Sequence, residues 1–159
     1  MWRVMIAILW LLQRTGLADR RSVWLLPEAT RKLLLKVDSV EVFSLGGVST
    51  DDAGPFPGAV SLGSVVVESK RVRKRLLRRI LLSNKYNIGG LLCLGAEYGV
   101  RVTAGEITLD FMFCFDCSKV WVSGPEGYRG IGTIAPFPVP LLNRLLTEAG
   151  IALPPPTEH

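Results

Sequence analysis

The sequence predicts an α+β domain in which an antiparallel sheet of about five strands packs against two main helices. Three observations predict it. Residues 107–115 alternate strictly, with Ile107, Leu109, Phe111, Phe113 and Phe115 on one parity and Thr108, Asp110, Met112, Cys114 and Asp116 on the other, so one face of a strand is apolar. Between residues 70 and 83, Val72, Leu76, Leu77, Ile80 and Leu81 recur at helical spacing. A second helical stripe follows Pro140, with Leu141, Leu142, Leu145, Leu146 and Ala149 apolar and Gly150 suited to end it.

The chain has 159 residues, enough for one domain with a real core. Its beginning reads as a leader or an N-terminal helix. Arg3 gives a positive start, residues 4–12 form a nine-residue apolar run, and Gly16-Leu17-Ala18 places small residues where signal peptidase reads them. The run is too short to span a membrane as a helix. Cleavage before Asp19 removes Arg3 and Arg14 and no acid, taking the formal charge from +5 to +3. The expected organisation is therefore a signal peptide or helix over 1–18, a single α+β domain over 19–156 and a tail at 157–159. The leader reading places the mature protein outside the cytoplasm; the alternative is a cytoplasmic protein that keeps the segment as a helix.

Within the domain, Pro27-Glu28-Ala29 reads as a helix start. Residues 39–45 form the first clear strand, and residues 46–58 a loop punctuated by Gly and Pro, with Asp51-Asp52 as a solvated turn. Residues 60–68 form a second strand, and Ser69 can cap the helix after it. Residues 91–94 open a further strand that carries Cys93. Gly105 supplies a tight turn between the runs at 100–102 and 107–115. The apolar parity changes after Cys117, to Val120 and Val122, which requires a turn or bulge; a tight turn over Phe115-Asp116 leaves Cys114 and Cys117 flanking it. Residues 123–132 read as a turn-rich loop. The expected core is Val40, Val42, Val65, Val67, Leu76, Ile80, Ile107, Leu109, Phe111, Phe113, Leu142 and Leu145.

Two features carry chemistry. The first is the cysteines. In thiol oxidoreductases the first cysteine of C-x-x-C sits at a helix N-terminus, which lowers its pKa, whereas Cys114 and Cys117 lie among strand formers. Zinc usually takes four ligands, and Cys93, Cys114 and Cys117 with the terminal His159 make a poor set. The remaining reading is packing, or a disulfide if the compartment oxidises thiols: Cys114 with Cys117, or Cys93 with either, the longer loop being favoured. The second feature is the helix at 70–83. Lys70, Arg71, Arg73, Lys74, Arg75, Arg78 and Arg79 put seven cations in ten residues with no acid among them. They suit an acidic protein or an anionic membrane surface. No aromatic residues interleave them for base stacking, so specific nucleic-acid binding is not expected. The only histidine is His159, which leaves no serine–histidine or other histidine-based catalytic arrangement.

The motifs together resemble a family of small uncharacterised bacterial proteins. Leu92-Cys93, Tyr98-Gly99-Val100-Arg101, Phe113-Cys114-Phe115-Asp116-Cys117 and the final Glu148-Ala149-Gly150-Ile151-Ala152-Leu153-Pro154 are similar to that family's "CF" element, "G-(I/L)-R" strand, "C-F-x-C" strand and "AGI-P-L-P" helix end. The likeness spans residues 37–156, and Leu94 departs from the usual Phe. It implies an order of elements and no activity. The function expected from all this is a small, non-enzymatic, exported binding or inhibitor-like protein. The alternatives are a thiol or metal protein using the C-x-x-C, or a cytosolic protein that contacts anionic partners through the basic helix.

Overall fold

The computed structural model describes residues 25–50, 56–85 and 95–156. Pro27 stands before helix α1 (Glu28–Leu33), as its fixed φ favours. Strands β1 (Ser39–Val48) and β2 (Ala59–Val66) precede helix α2 (Lys70–Lys85); β3 (Tyr98–Ala104), β4 (Ile107–Cys114), β5 (Lys119–Ser123) and β6 (Gly130–Thr133) precede helix α3 (Val139–Glu148). The six strands form one antiparallel sheet in the order β2-β1-β3-β4-β5-β6. The fold is α+β, as the sequence predicts.

One face of the sheet holds the core. Val42, Val100, Phe111 and Val122 lie opposite one another across four strands, and Val40, Val102 and Leu109 form the next row. All seven are at most 4% exposed. Leu76, Leu77 and Ile80 of α2 and Leu141, Leu142 and Leu146 of α3 cover them. Val65, Ile107 and Leu145, expected in the core, are only partly buried at its margin. In α3 it is Leu146 that points inward, one position on from Leu145.

The turns follow the local chemistry. Gly105 adopts φ 58° between Ala104 and Ile107, which pair across the hairpin. The turn after β4 is longer than expected, spanning residues 115–118: Ser118 takes φ 53° and its N–H donates to the Phe115 carbonyl at 3.1 Å. Val72 N–H donates to Ser69 Oγ at 3.4 Å, the expected cap of α2. Gly150 ends α3 at φ 72°, and Ile151 N–H reaches back to Leu146 O at 2.9 Å. That turn aims Ile151 at β2, where its Cγ2 would lie 3.1 Å from a Cβ on Gly63.

Two expectations change. β1 runs on through Gly46, which pairs with Val60, so the loop after it is shorter. β6 occupies part of what reads as a loop; Gly130 and Gly132 hide a strand that its pairing with β5 enforces. On the sheet face away from the core, Phe56 packs edge-on to Phe43 with centroids 4.9 Å apart and covers Gly99, where a Cβ would meet its ring at 2.4 Å. The expected leader, Asp51-Asp52, the strand at 91–94 with Cys93, and the 157–159 tail with His159 lie outside the described residues.

Candidate functional site

The basic helix lies across the core face with its cations outward. At 3.6 residues per turn, Leu76, Ile80 and Ser83 fix the buried side of α2, and Arg71, Arg75, Arg78 and Leu82 follow one line on the opposite side. Arg71, Lys74, Arg75, Arg78, Arg79 and Leu82 line a cleft of about 430 Å³. Among the described residues none of these five cations forms an ion pair, and α2 contains no acid of its own.

Two of the seven predicted cations stand apart from that cleft. Arg73 turns back to the start of its own helix, donating from Nη1 to the carbonyls of Val67 at 3.0 Å and Glu68 at 2.8 Å. It joins the β2–α2 connection and is a structural residue. Lys70 is exposed at the first position of the helix, outside the cleft lining.

Asn84 anchors the far end of α2 and was invisible to periodicity. Its Oδ1 accepts the Leu26 N–H at 3.0 Å and its Nδ2 donates to Thr133 O at 2.8 Å, tying α1, α2 and β6 together. Ser83 O accepts Ala135 N–H at 3.1 Å beside it. These bonds hold the helix, and so the spacing of its cations, against the sheet.

The two described cysteines sit at the end of β4 and in the turn after it. Cys114 closes β4 opposite Lys119 and is a free thiol, 2% exposed. The two expected pairings that use Cys114 are therefore not formed. The turn at 115–118 carries Cys117 past Cys114, leaving Cys117 Sγ 3.6 Å from the Cys114 carbonyl oxygen. Burial pushes the Cys114 thiol up, with the Glu97 and Asp116 carboxylates adding to it against a hydrogen bond from Cys117. A nucleophilic cysteine needs the reverse. Glu97 itself is raised, first by burial and then by Asp116, although the Phe115 N–H donates to its Oε2 at 2.5 Å. Of the weak zinc candidates Cys93, Cys114 and Cys117, only the last two are described, and no group of three or more metal-ligating side chains gathers among the described residues.

Elsewhere the open face carries a bidentate ion pair, Arg101 Nε and Nη2 to Asp110 at 2.7 and 3.0 Å, which holds the Arg101 guanidinium above its usual range. Tyr98 donates to Asn143 Oδ1 at 2.5 Å, and burial pushes its phenol up to about 12. Both link neighbouring elements. No described helix is long and apolar enough to cross a membrane. The chain matches no family model, no curated protein and no solved structure.

Proposed function

We propose that this chain is a small, non-catalytic, exported binding protein whose contact face is the cationic outer side of α2. The observation that carries the reading is the cleft of Arg71, Lys74, Arg75, Arg78 and Arg79, five cations without ion-pair partners among the described residues on a helix pinned by Asn84. Like charges spaced i,i+4 along a helix, as Arg71, Arg75 and Arg79 are, cost helix stability. A partner carrying negative charge repays that cost. The leader-like residues 1–18 support export, as do the cysteines. Cys114 is the free cysteine, which leaves Cys117 with Cys93 as the expected pairing, and such a bond forms in an oxidising compartment.

The test is a titration of the full-length protein with a polyanion, labelled polyglutamate, at low and at physiological salt. Binding should be clear at low salt and weaken steeply as salt rises. The triple variant R71E/R75E/R78E should lose it at both. Binding that survives the triple charge reversal removes α2 as the contact face.

A further inference from the structure

We infer that the anionic surface taken by α2 is a lipid bilayer, with acidic headgroups on the cations and Leu82, Leu35 and Leu25 entering the headgroup boundary. This rests on the reading of α2 given above and names its partner.

An acidic protein or a soluble polyanion needs only the cations. The outer line of α2 offers more than that. Leu82 continues the line of Arg71, Arg75 and Arg78 and is 47% exposed. A second cleft, of about 470 Å³, lies between α1 and the end of α2. Leu25, Leu35 and Leu81 form its apolar wall, with Arg31, Lys32 and Lys85 around it. Leu35 is 72% exposed and Leu25 50%. The acid in this cleft, Glu28, is neutralised by Lys32 at 2.7 Å. Exposed leucines grouped on one side of a molecule mark a contact. Leucines framed by lysine and arginine are the pattern of surfaces that lie in a membrane interface, where the apolar chains enter the acyl boundary and the cations meet phosphates. The charge is complementary only to an anionic surface, and the leucines are satisfied only by one with an apolar interior.

The experiment is co-sedimentation of the full-length chain with vesicles of phosphatidylglycerol and phosphatidylcholine, with pure phosphatidylcholine vesicles and polyglutamate as comparisons. The wild-type chain should partition onto the anionic vesicles and not onto the neutral ones. L25S/L35S, at two exposed leucines outside the cationic cleft, should lower vesicle partition by about threefold or more while leaving polyglutamate binding unchanged. R75E/R78E should lower both by about tenfold or more. All four positions are exposed or line open clefts, and melting curves check that each variant is folded. Vesicle binding that ignores the leucine pair, or binding to polyglutamate with none to vesicles, overturns the lipid inference and leaves α2 as an anion-binding face. Vesicle binding that ignores R75E/R78E overturns it too, by placing the contact elsewhere. Binding to neither probe overturns both.

Discussion

Gly99 shows how a single missing side chain can decide what covers a sheet. Phe56 packs against it, and a Cβ there would meet the ring at 2.4 Å. Gly99→Ala should cost about 1–3 kcal/mol, as overpacking does. The cost should shrink in a Phe56→Ala background, because the clash is with that ring; a double-mutant cycle from urea unfolding measures the coupling, and additive costs would contradict the contact. Glu97 gives a pH signature. Its native pKa is raised above 4.5, by burial first. A raised carboxylate binds its proton more tightly in the folded state, so its stabilising share is present below the unfolded pKa and is lost as pH rises through the native one. Glu97→Gln removes that loss. The urea midpoint of the variant relative to wild type should therefore be highest near neutrality and fall on acidification. A difference that stays flat or grows in acid would remove Glu97 as the cause. These residues were only partly legible. The alternation that makes Gly99 face away from the core is readable, but the ring over it comes from a loop forty-odd positions earlier in the chain, and periodicity carries no such information.

At the scale of elements, helices and long strands were readable because their apolar residues repeat at the period of the structure. Leu76, Leu77 and Ile80 in α2 and Leu109, Phe111 and Phe113 in β4 are buried as their spacing requires. β6 was not readable. Gly130-Ile131-Gly132-Thr133 has poor intrinsic strand preference and is held by its ladder to β5, with Pro27 packed where a Gly130 Cβ would stand. The seven cations of α2 were legible as a group, but not the division among them: Arg73 is within reach of the Val67 and Glu68 carbonyls only because β2 turns directly into the helix. Asn84 was missed for a similar reason. Its value lies in two backbone groups far away in sequence. Asn84→Ala should leave the Leu26 N–H and the Thr133 carbonyl without this partner and cost about 2–3 kcal/mol in thermal or urea unfolding. It should also loosen α2 at its C-terminal end, measurable as faster amide exchange over residues 80–85. A cost below about 0.5 kcal/mol would show that the clamp contributes nothing measurable.

At the scale of the whole molecule, one sheet supports two distinct groups of side chains. In the first, β3, β4 and the turn at 115–118 gather the buried Cys114 and Cys117 beside the half-buried Glu97, and burial pushes the Cys114 thiol up. A disulfide from Cys117 to Cys93 would close a loop over the β3–β4 hairpin and stabilise the fold by about 2–4 kcal/mol. Exported protein denatured without reductant should then show one reactive thiol, that of Cys114, and three with reductant; three thiols without reductant would exclude the bond. The alternation of β4 made the fold class legible, but not which cysteine stays free, since that depends on how a four-residue turn rotates Cys117 away from β4. Across the core face, α2 displays its cations on the side turned from the sheet, and this placement is the central claim about function. Site-resolved footprinting tests it most directly, by modifying arginine with phenylglyoxal and lysine with an acylating reagent, with and without saturating polyglutamate, and reading each site by mass spectrometry. Protection should fall on Arg71, Lys74, Arg75, Arg78 and Arg79, while Lys36 and Arg144, on other parts of the surface, react as in the free protein. Protection spread evenly over all cations, or confined to sites outside α2, would contradict the account.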